Sequence, residues 1–545
     1  MGAFRRWGAM GVAAGVLAAA LGVATAGTLL MTSAEPGFRA DGPPTAEVAS
    51  GAVRGGPVAF SELVAGVMMP VAVEGAAHAP KVVEYEGLQL SFALKEGPRG
   101  AVARLVVTDA EGGEPVRGLK PRAWLEERGE DGPQDAAACG ARVQELRGGG
   151  LAERAEEDLN ALRVLLLNDD DTLSVLNPQI ALRQTRLEAL LRLPGEVLDW
   201  ALHPDGRSLY LSVPNVKQVL VVETQGFRVA STLELDEAPG ALAFSEDGRQ
   251  LWVGGADANA AHVQVIDTDE DRVVGAVEVG PGPHQVVVSH GGHQVWVASP
   301  QMRELVAIDG PSARYVGAVA VGEGVVSLGR GCSTIAVARE GGEVRVFDVA
   351  RGSDRRVQVA AGVTRVDVAP GERWAFALHA GAGQVSVIDL EHGVVRGAFQ
   401  GLGAPERVVF TEGYAYIERA AGEQVGMVAL DALAKSGPGL RWVSTGEVGV
   451  AGAGASAVSA APGPAGRSIF VASPNQRAIL VLAEGQPSPM GRIDNRVGRP
   501  RAMMLLDRSL EEVAPGVYRA SAEVDLARSW ELRLDLGDEL GALCF

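Results

Sequence analysis

Alternation with a period of two runs through most of this chain. From about residue 160 onward, short runs of β-branched and aliphatic residues alternate with small or polar ones. Each run closes on an acid or its amide: TLSVLN at Asn177, VLVVE at Glu223, VQVID at Asp267, LVAID at Asp309, VRVFD at Asp348, VSVID at Asp389, VGMVALD at Asp431 and ILVLAE at Glu484. Runs of this kind bounded by Gly, Pro, Asn and Asp predict strands. Successive copies lie roughly 40 to 45 residues apart, with a longer interval before Glu484, which is the length of a four-stranded propeller blade.

The flanking sequence supplies the other strands of each unit. Upstream lie LYLSVP, LWVGGA, VWVASP, FALHA or IFVASP, introduced by turns such as His203-Pro204-Asp205-Gly206 and Ser245-Glu246-Asp247-Gly248; downstream lie RVASTLEL, RVVGAVEVG or RYVGAVAVG. The order strand, Asp-Gly turn, strand, hairpin, strand, hairpin, strand describes a blade and leaves no room for a crossover helix. The expected fold is an all-β propeller, eight blades favoured and seven possible, spanning residues 160–510. The first unit, ALRVLLLN, TLSVLN and RLEALLRL, lacks an inner strand. An open ring would leave a bare sheet edge, so RAMMLLD, Arg501 to Asp507, is expected to close it.

The blade pattern resembles YVTN-type repeats and, more distantly, the haem-binding propeller of periplasmic nitrite reductases. The second resemblance implies a carrier of a haem-like or other redox cofactor. Propellers host many unrelated roles, so the resemblance speaks to fold more than to function.

The two ends have another texture. Leu88, Leu90, Phe92 and Leu94 alternate, ARLVVTDAEGGEPVRGLKPRAWL follows, and PGVYRASAEVDLARSWELRLDL stands near the C-terminus. These segments resemble the two halves of a small immunoglobulin-type sandwich of the FixH/YtkA kind. One β-sandwich is therefore expected from residues 81–159, which include a connector, and residues 511–545, with the propeller inserted between them. The alternative is two unrelated β appendages.

Arg5 and Arg6 precede an uncharged apolar run from Trp7 to Met31, with Ala24-Thr25-Ala26 in small-x-small form. Residues 1–31 are expected to be a signal peptide or a membrane anchor, an N-terminal hydrophobic helix in the second case. Either implies a periplasmic or other extracytoplasmic protein, anchored to the inner membrane if the segment is uncleaved. Residues 32–80 are expected to be a linker, flexible in their Gly-, Pro- and Ala-rich part up to residue 57. A formal charge of -19 without a basic block argues against a nucleic-acid partner. Three cysteines and no C-x-x-C-H exclude covalent c-type haem. A sandwich shared by both ends would bring Cys139 to Cys544, in a compartment that permits oxidation, and leave Cys332 as a free buried thiol. The competing expectation is three unpaired cysteines.

Aligned on their Asp-Gly turns, the inner strands place Asp199, Gln285, Arg365 and Arg407 in one register, with His284 beside Gln285. Convergent polar groups at a propeller mouth are what a ligand site needs. The bland alternative is that each satisfies backbone groups between adjacent blades. His284 is the one histidine worth testing as a haem or metal ligand. His290 and His293 flank a Gly-Gly turn, Asn168 to Thr172 (NDDDT) reads as a hairpin turn and not a calcium loop, and Met68-Met69 and Met503-Met504 read as core. No G-x-S-x-G, H-E-x-x-H or nucleophile with its base is present. The expectation is therefore a non-catalytic binding or scaffold protein, its partner protein or small ligand held at the propeller mouth. A haem-like cofactor carrier and a lactonase-like or quinoprotein-like enzyme are the alternatives.

Overall fold

The structure, a computed structural model, describes residues 57–63, 80–97, 100–128, 136–148, 155–178, 186–289, 293–331, 333–420, 424–435, 439–444, 458–463, 466–522, 524–537 and 540–545. Residues 1–31, Met68, Met69, His290 and Cys332 lie outside the described residues. No helix among the described residues is long and apolar enough to cross a membrane.

The protein is an all-β propeller, built from successive four-stranded antiparallel sheets numbered here as blades 1 to 8. Blade 1 comprises Leu162–Asn168, Thr172–Leu176 and Leu187–Arg192, with Pro500–Asp507 as its inner strand. Blades 2 to 8 span 199–234, 239–278, 285–320, 325–358, 365–399, 405–444 and 458–494, each running from inner to outer strand in chain order. Central strands read as near-continuous burial, as in Ser208–Val213 and Trp374–His379, because blades stack on both of their faces. Outer strands are exposed at most positions, as in Arg228–Glu234, where Leu233 alone is buried, because one side meets water.

Aliphatic clusters link every blade to the next and return to the start. Leu165 and Leu173 of blade 1 pack with Trp200 and Leu211 of blade 2, and Tyr210 and Val221 with Leu251 and Ile266 of blade 3. Trp252 meets Val286 and Val306, Trp296 meets Val325 and Phe347, Val346 meets Val366 and Ile388, and Phe376 meets Val408 and Ile417. The last cluster joins Met427 of blade 7 to Phe470 and Ile479 of blade 8 and to Val164 and Met503 of blade 1. Closure is non-local, since Met503 pairs with Leu166 and Leu505 with Val164. A buried amide pair marks that seam: Asn495 Nδ2 donates to Asn168 Oδ1 at 2.8 Å, and Asn168 Nδ2 donates to Ser174 Oγ at 2.7 Å.

The remaining two sheets draw strands from both ends of the chain. One runs in the order Lys81–Tyr85, Leu88–Gly97, Gly100–Asp109, Val517–Ala522, Glu511–Ala514; the other in the order Ala542–Cys544, Trp530–Asp535, Arg122–Glu127, Glu157–Asp158. Leu90, Phe92, Leu105 and Val107 from the first face Leu125, Leu532, Leu534 and Phe545 from the second in one core. Helix α1, Ala136–Gly148, covers the outer side of the second sheet through Cys139, Val143 and Leu146 against Trp124. Its Arg142 pairs with Glu126 at 2.5 Å and its Arg147 with Asp535 at 3.3 Å. Cys139 and Cys544 are disulfide-bonded, with Cα atoms 5.8 Å apart.

Part of the expected linker is ordered against the ring. Residues 57–63 lie along the outer strand of blade 4, with Val58 N–H donating to Ala318 O at 2.9 Å. The Phe60 ring sits 5.5 Å from that of Trp296 and 4.8 Å from that of Phe347, in the gap between blades 4 and 5. Gln294 Nε2 also donates to Leu63 O. One buried aromatic side chain is enough to give part of a linker a fixed seat, which composition alone does not reveal.

Candidate functional site

A cavity of about 570 Å³ opens where the inner strands of blades 2 to 7 converge. Its walls are largely apolar, with Leu198, Val286, Val326, Leu328, Val408 and Phe410, and its polar lining includes Asp199, His284, Gln285, Arg330 and Arg365. Cavities of roughly 300–1,000 Å³ with few, placed polar groups are typical of small-molecule sites.

Cross-strand pairing puts the expected residues in one register: Asp199 faces Ser212, Gln285 faces Ala298, Arg365 faces Leu378 and Arg407 faces Glu418. Two of these positions, Asp199 and Gln285, clasp one blade to the next, as does Ser327 in the same register of blade 5. Leu242 N–H donates to Asp199 Oδ2 at 2.9 Å, joining blades 2 and 3. Leu328 N–H donates to Gln285 Oε1 and Gln285 Nε2 donates to Val326 O, both at 2.7 Å, joining blades 4 and 5. Val366 N–H donates to Ser327 Oγ at 3.2 Å, joining blades 5 and 6. In Asp199 and Gln285 the backbone-satisfying role is therefore in place, and buried backbone amides at the seams find partners.

Blade 3 carries Ala241 at the corresponding position, and there His284 makes the clasp. His284 N–H donates to Gly255 O at 2.9 Å, Gly255 N–H donates to His284 Nδ1 at 3.2 Å, and His284 Nε2 donates to Gly280 O at 2.7 Å. The blades approach so closely here that a Cβ on Gly254 would lie 2.8 Å from His284 O. Burial holds the imidazole below its ordinary pKa, in the neutral form that these contacts require.

Between blades 6 and 7 the clasp moves two residues along the strand. Val408 N–H donates to Asp367 Oδ2 at 2.9 Å, while Asp367 Oδ1 accepts Arg365 Nε at 2.8 Å. Arg407 is half-buried, and the loss of solvent around its guanidinium lowers its pKa; Arg365 nearby adds to that, and Glu418, Asp367 and Asp199 offset it. Asp199 is pushed up to about 6 by burial, against the pull of the Leu242 and Trp200 N–H groups and of Arg407 and Arg365. Asp367 and Ser327 went unremarked in the sequence. The available signal was polarity recurring at every second residue of an otherwise apolar inner strand.

The other candidates stand apart from this cavity. Asn168 and Thr172 bound a hairpin turn in which Thr172 Oγ1 donates to Asp170 Oδ1. Met503 is core. His293 Nε2, at the turn between the first two strands of blade 4, is buried without a partner among the described residues. Asp389, Glu391 and His392 come together on an outer hairpin of blade 6, where His392 Nδ1 lies 3.0 Å from Asp389 Oδ1; Glu391 and His392 are exposed.

Comparison with known proteins agrees on fold. No family model matches the chain, and no curated protein matches it. Among solved structures, the dihydro-heme d1 dehydrogenase NirN in complex with DHE is similar at a TM-score of 0.51 and 16% identity, over 65% of this chain and 78% of that one. AztD from Citrobacter koseri is similar at a TM-score of 0.47 and 12% identity, over 64% of this chain and 98% of that one.

Proposed function

We propose that this protein is a non-catalytic, extracytoplasmic β-propeller that binds a small ligand in the cavity on its axis. The observation that carries the reading is the cavity itself: about 570 Å³, apolar walls, and polar groups fixed by the seams between blades. The apolar run before residue 31 and the Cys139–Cys544 disulfide support a location outside the cytoplasm. The YVTN-type pattern of the repeats fits the same reading.

Binding is favoured over catalysis by how the wall's reactive groups are used. The Ser327 hydroxyl accepts a backbone N–H, and both ring nitrogens of His284 are committed to backbone. A haem-like group does not fit this donor set. His284 is the one imidazole among the described residues of the wall, and no Met, Cys or Tyr lines it to serve as an axial ligand.

Ala241 lines the cavity where neighbouring blades carry larger polar groups, so Ala241→Trp fills the space without removing a clasp. Native mass spectrometry of the full chain from an exporting host is expected to show a retained small molecule in the wild type and none in Ala241→Trp, with thermal transitions alike. Equal retention in both would place the ligand elsewhere, and retention in neither would count against a small-molecule role.

A further inference from the structure

The blade 6–7 seam departs from its neighbours in a way that frees one side chain. In blades 2, 4 and 5 the residue in the clasp register, Asp199, Gln285 or Ser327, accepts an N–H of the next blade's backbone. In blade 6 that register holds Arg365, and Asp367 has taken over the clasp. Asp367 also holds Arg365 by its Nε alone. The two terminal nitrogens of Arg365 make no hydrogen bond or ion pair among the described residues, and the side chain, 32% exposed, lines the cavity.

The remaining polar wall is lopsided in the same sense. Asp199 Oδ1 and Oδ2 accept the N–H groups of Trp200 and Leu242, and both Asp367 oxygens are taken as described. Arg330, exposed at the far end of its inner strand, lines the same cavity with no side-chain partner among the described residues. The acids are thus spent internally, while two guanidinium groups keep donors for a ligand. A guanidinium pinned at Nε presents its terminal fork in a fixed plane, the geometry that grips a carboxylate through two parallel hydrogen bonds.

We propose that the ligand is an amphipathic organic acid, its carboxylate gripped by Arg365 with Arg330 adding charge, and its apolar body against Leu198, Val286, Val326, Leu328, Val408 and Phe410. This rests on the reading of the axial cavity as a binding site. The apolar walls reject a small hydrated anion such as inorganic phosphate, which would leave them unfilled.

Calorimetric titration of the full chain with decanoate and with decan-1-ol, which share a chain and differ in the head group, tests both levels. Decanoate is expected to bind one to one and at least tenfold tighter than the alcohol. In Arg365→Ala that preference should vanish while alcohol binding persists, and Arg365→Lys, keeping charge without the fork, should restore only part of it. Equal binding of acid and alcohol to the wild type, or an undiminished preference in Arg365→Ala, would overturn the assignment of an acid while leaving the cavity as a site. Binding of neither would overturn both. Thermal transitions of the variants separate loss of preference from loss of fold.

Discussion

The propeller and the sandwich solve the same problem, closing a β-structure, by opposite means. In the ring all seams but one are local: a blade touches the next blade in sequence, an aliphatic cluster fills the gap, and from blade 2 to blade 7 a polar clasp such as Gln285 to Leu328 N–H joins the inner strands. In the sandwich nothing is local across the join. Gly100–Asp109 pairs with Val517–Ala522, Arg122–Glu127 pairs with Trp530–Asp535, and a disulfide ties residues 405 apart in sequence. The ring itself has one seam of the second kind, where Pro500–Asp507 crosses back to Leu162–Asn168. Stability at these joins depends on segments that emerge last from synthesis, whereas interior blades acquire their neighbours as the chain grows.

Cutting the chain at the non-local joins is expected to have the largest effect. Truncation after Gly498 removes the inner strand of blade 1 and the four C-terminal strands that complete the sandwich core, so it should abolish the cooperative unfolding transition in near-ultraviolet circular dichroism. A truncated protein with a sharp transition would show that the ring holds without its closing strand.

Next in size is the disulfide. Replacing Cys139 and Cys544 together by Ser is expected to cost up to about 6 kcal/mol, the chain-entropy value for a loop closed by residues 405 apart. Calorimetry should then resolve the sandwich as an earlier transition, with the propeller's transition little changed. A uniform downward shift of a single transition would mean that the two parts unfold as one unit.

A smaller effect belongs to Asp199 on the local side of the comparison. Its folded pKa of about 6 lies above the ordinary carboxylate value, so the native state holds the proton more tightly than the unfolded chain does. The associated stability is fully present below about pH 4 and is lost as the pH rises through 6, a change of about 3 kcal/mol for a shift of roughly two units. Urea midpoints of the wild type should therefore gain on those of Asp199→Asn as the pH falls from 7 to 4. Parallel profiles would show that burial does not perturb this carboxyl.

Legibility in the sequence follows the same division. The acid-ended strands at Asp267, Asp309 and Asp389 repeat within a blade's length, so a local pattern was enough to recover the propeller fold. The register of Asp199, Gln285, Arg365 and Arg407 was also readable, because it counts residues back from each turn. Which of these residues keeps donors toward the cavity was not readable, since that depends on what the next blade offers: Asp367, not Arg365, meets Val408 N–H on another strand. The seat of Phe60 between blades 4 and 5 was hidden for the same reason, as Trp296 and Phe347 lie more than two hundred residues downstream. Helix α1 carries only three buried apolar positions on its sheet-facing side, too sparse a stripe to announce itself.

Hydrogen exchange of the full chain with and without saturating decanoate tests the axial binding site most directly. Slowed exchange is expected in the segments bearing Gln285–Val288, Val325–Arg330 and Arg365–Val368, which line the cavity from three blades. Slowing confined to the outer strands or to residues 57–63, with those inner strands unchanged, would contradict it.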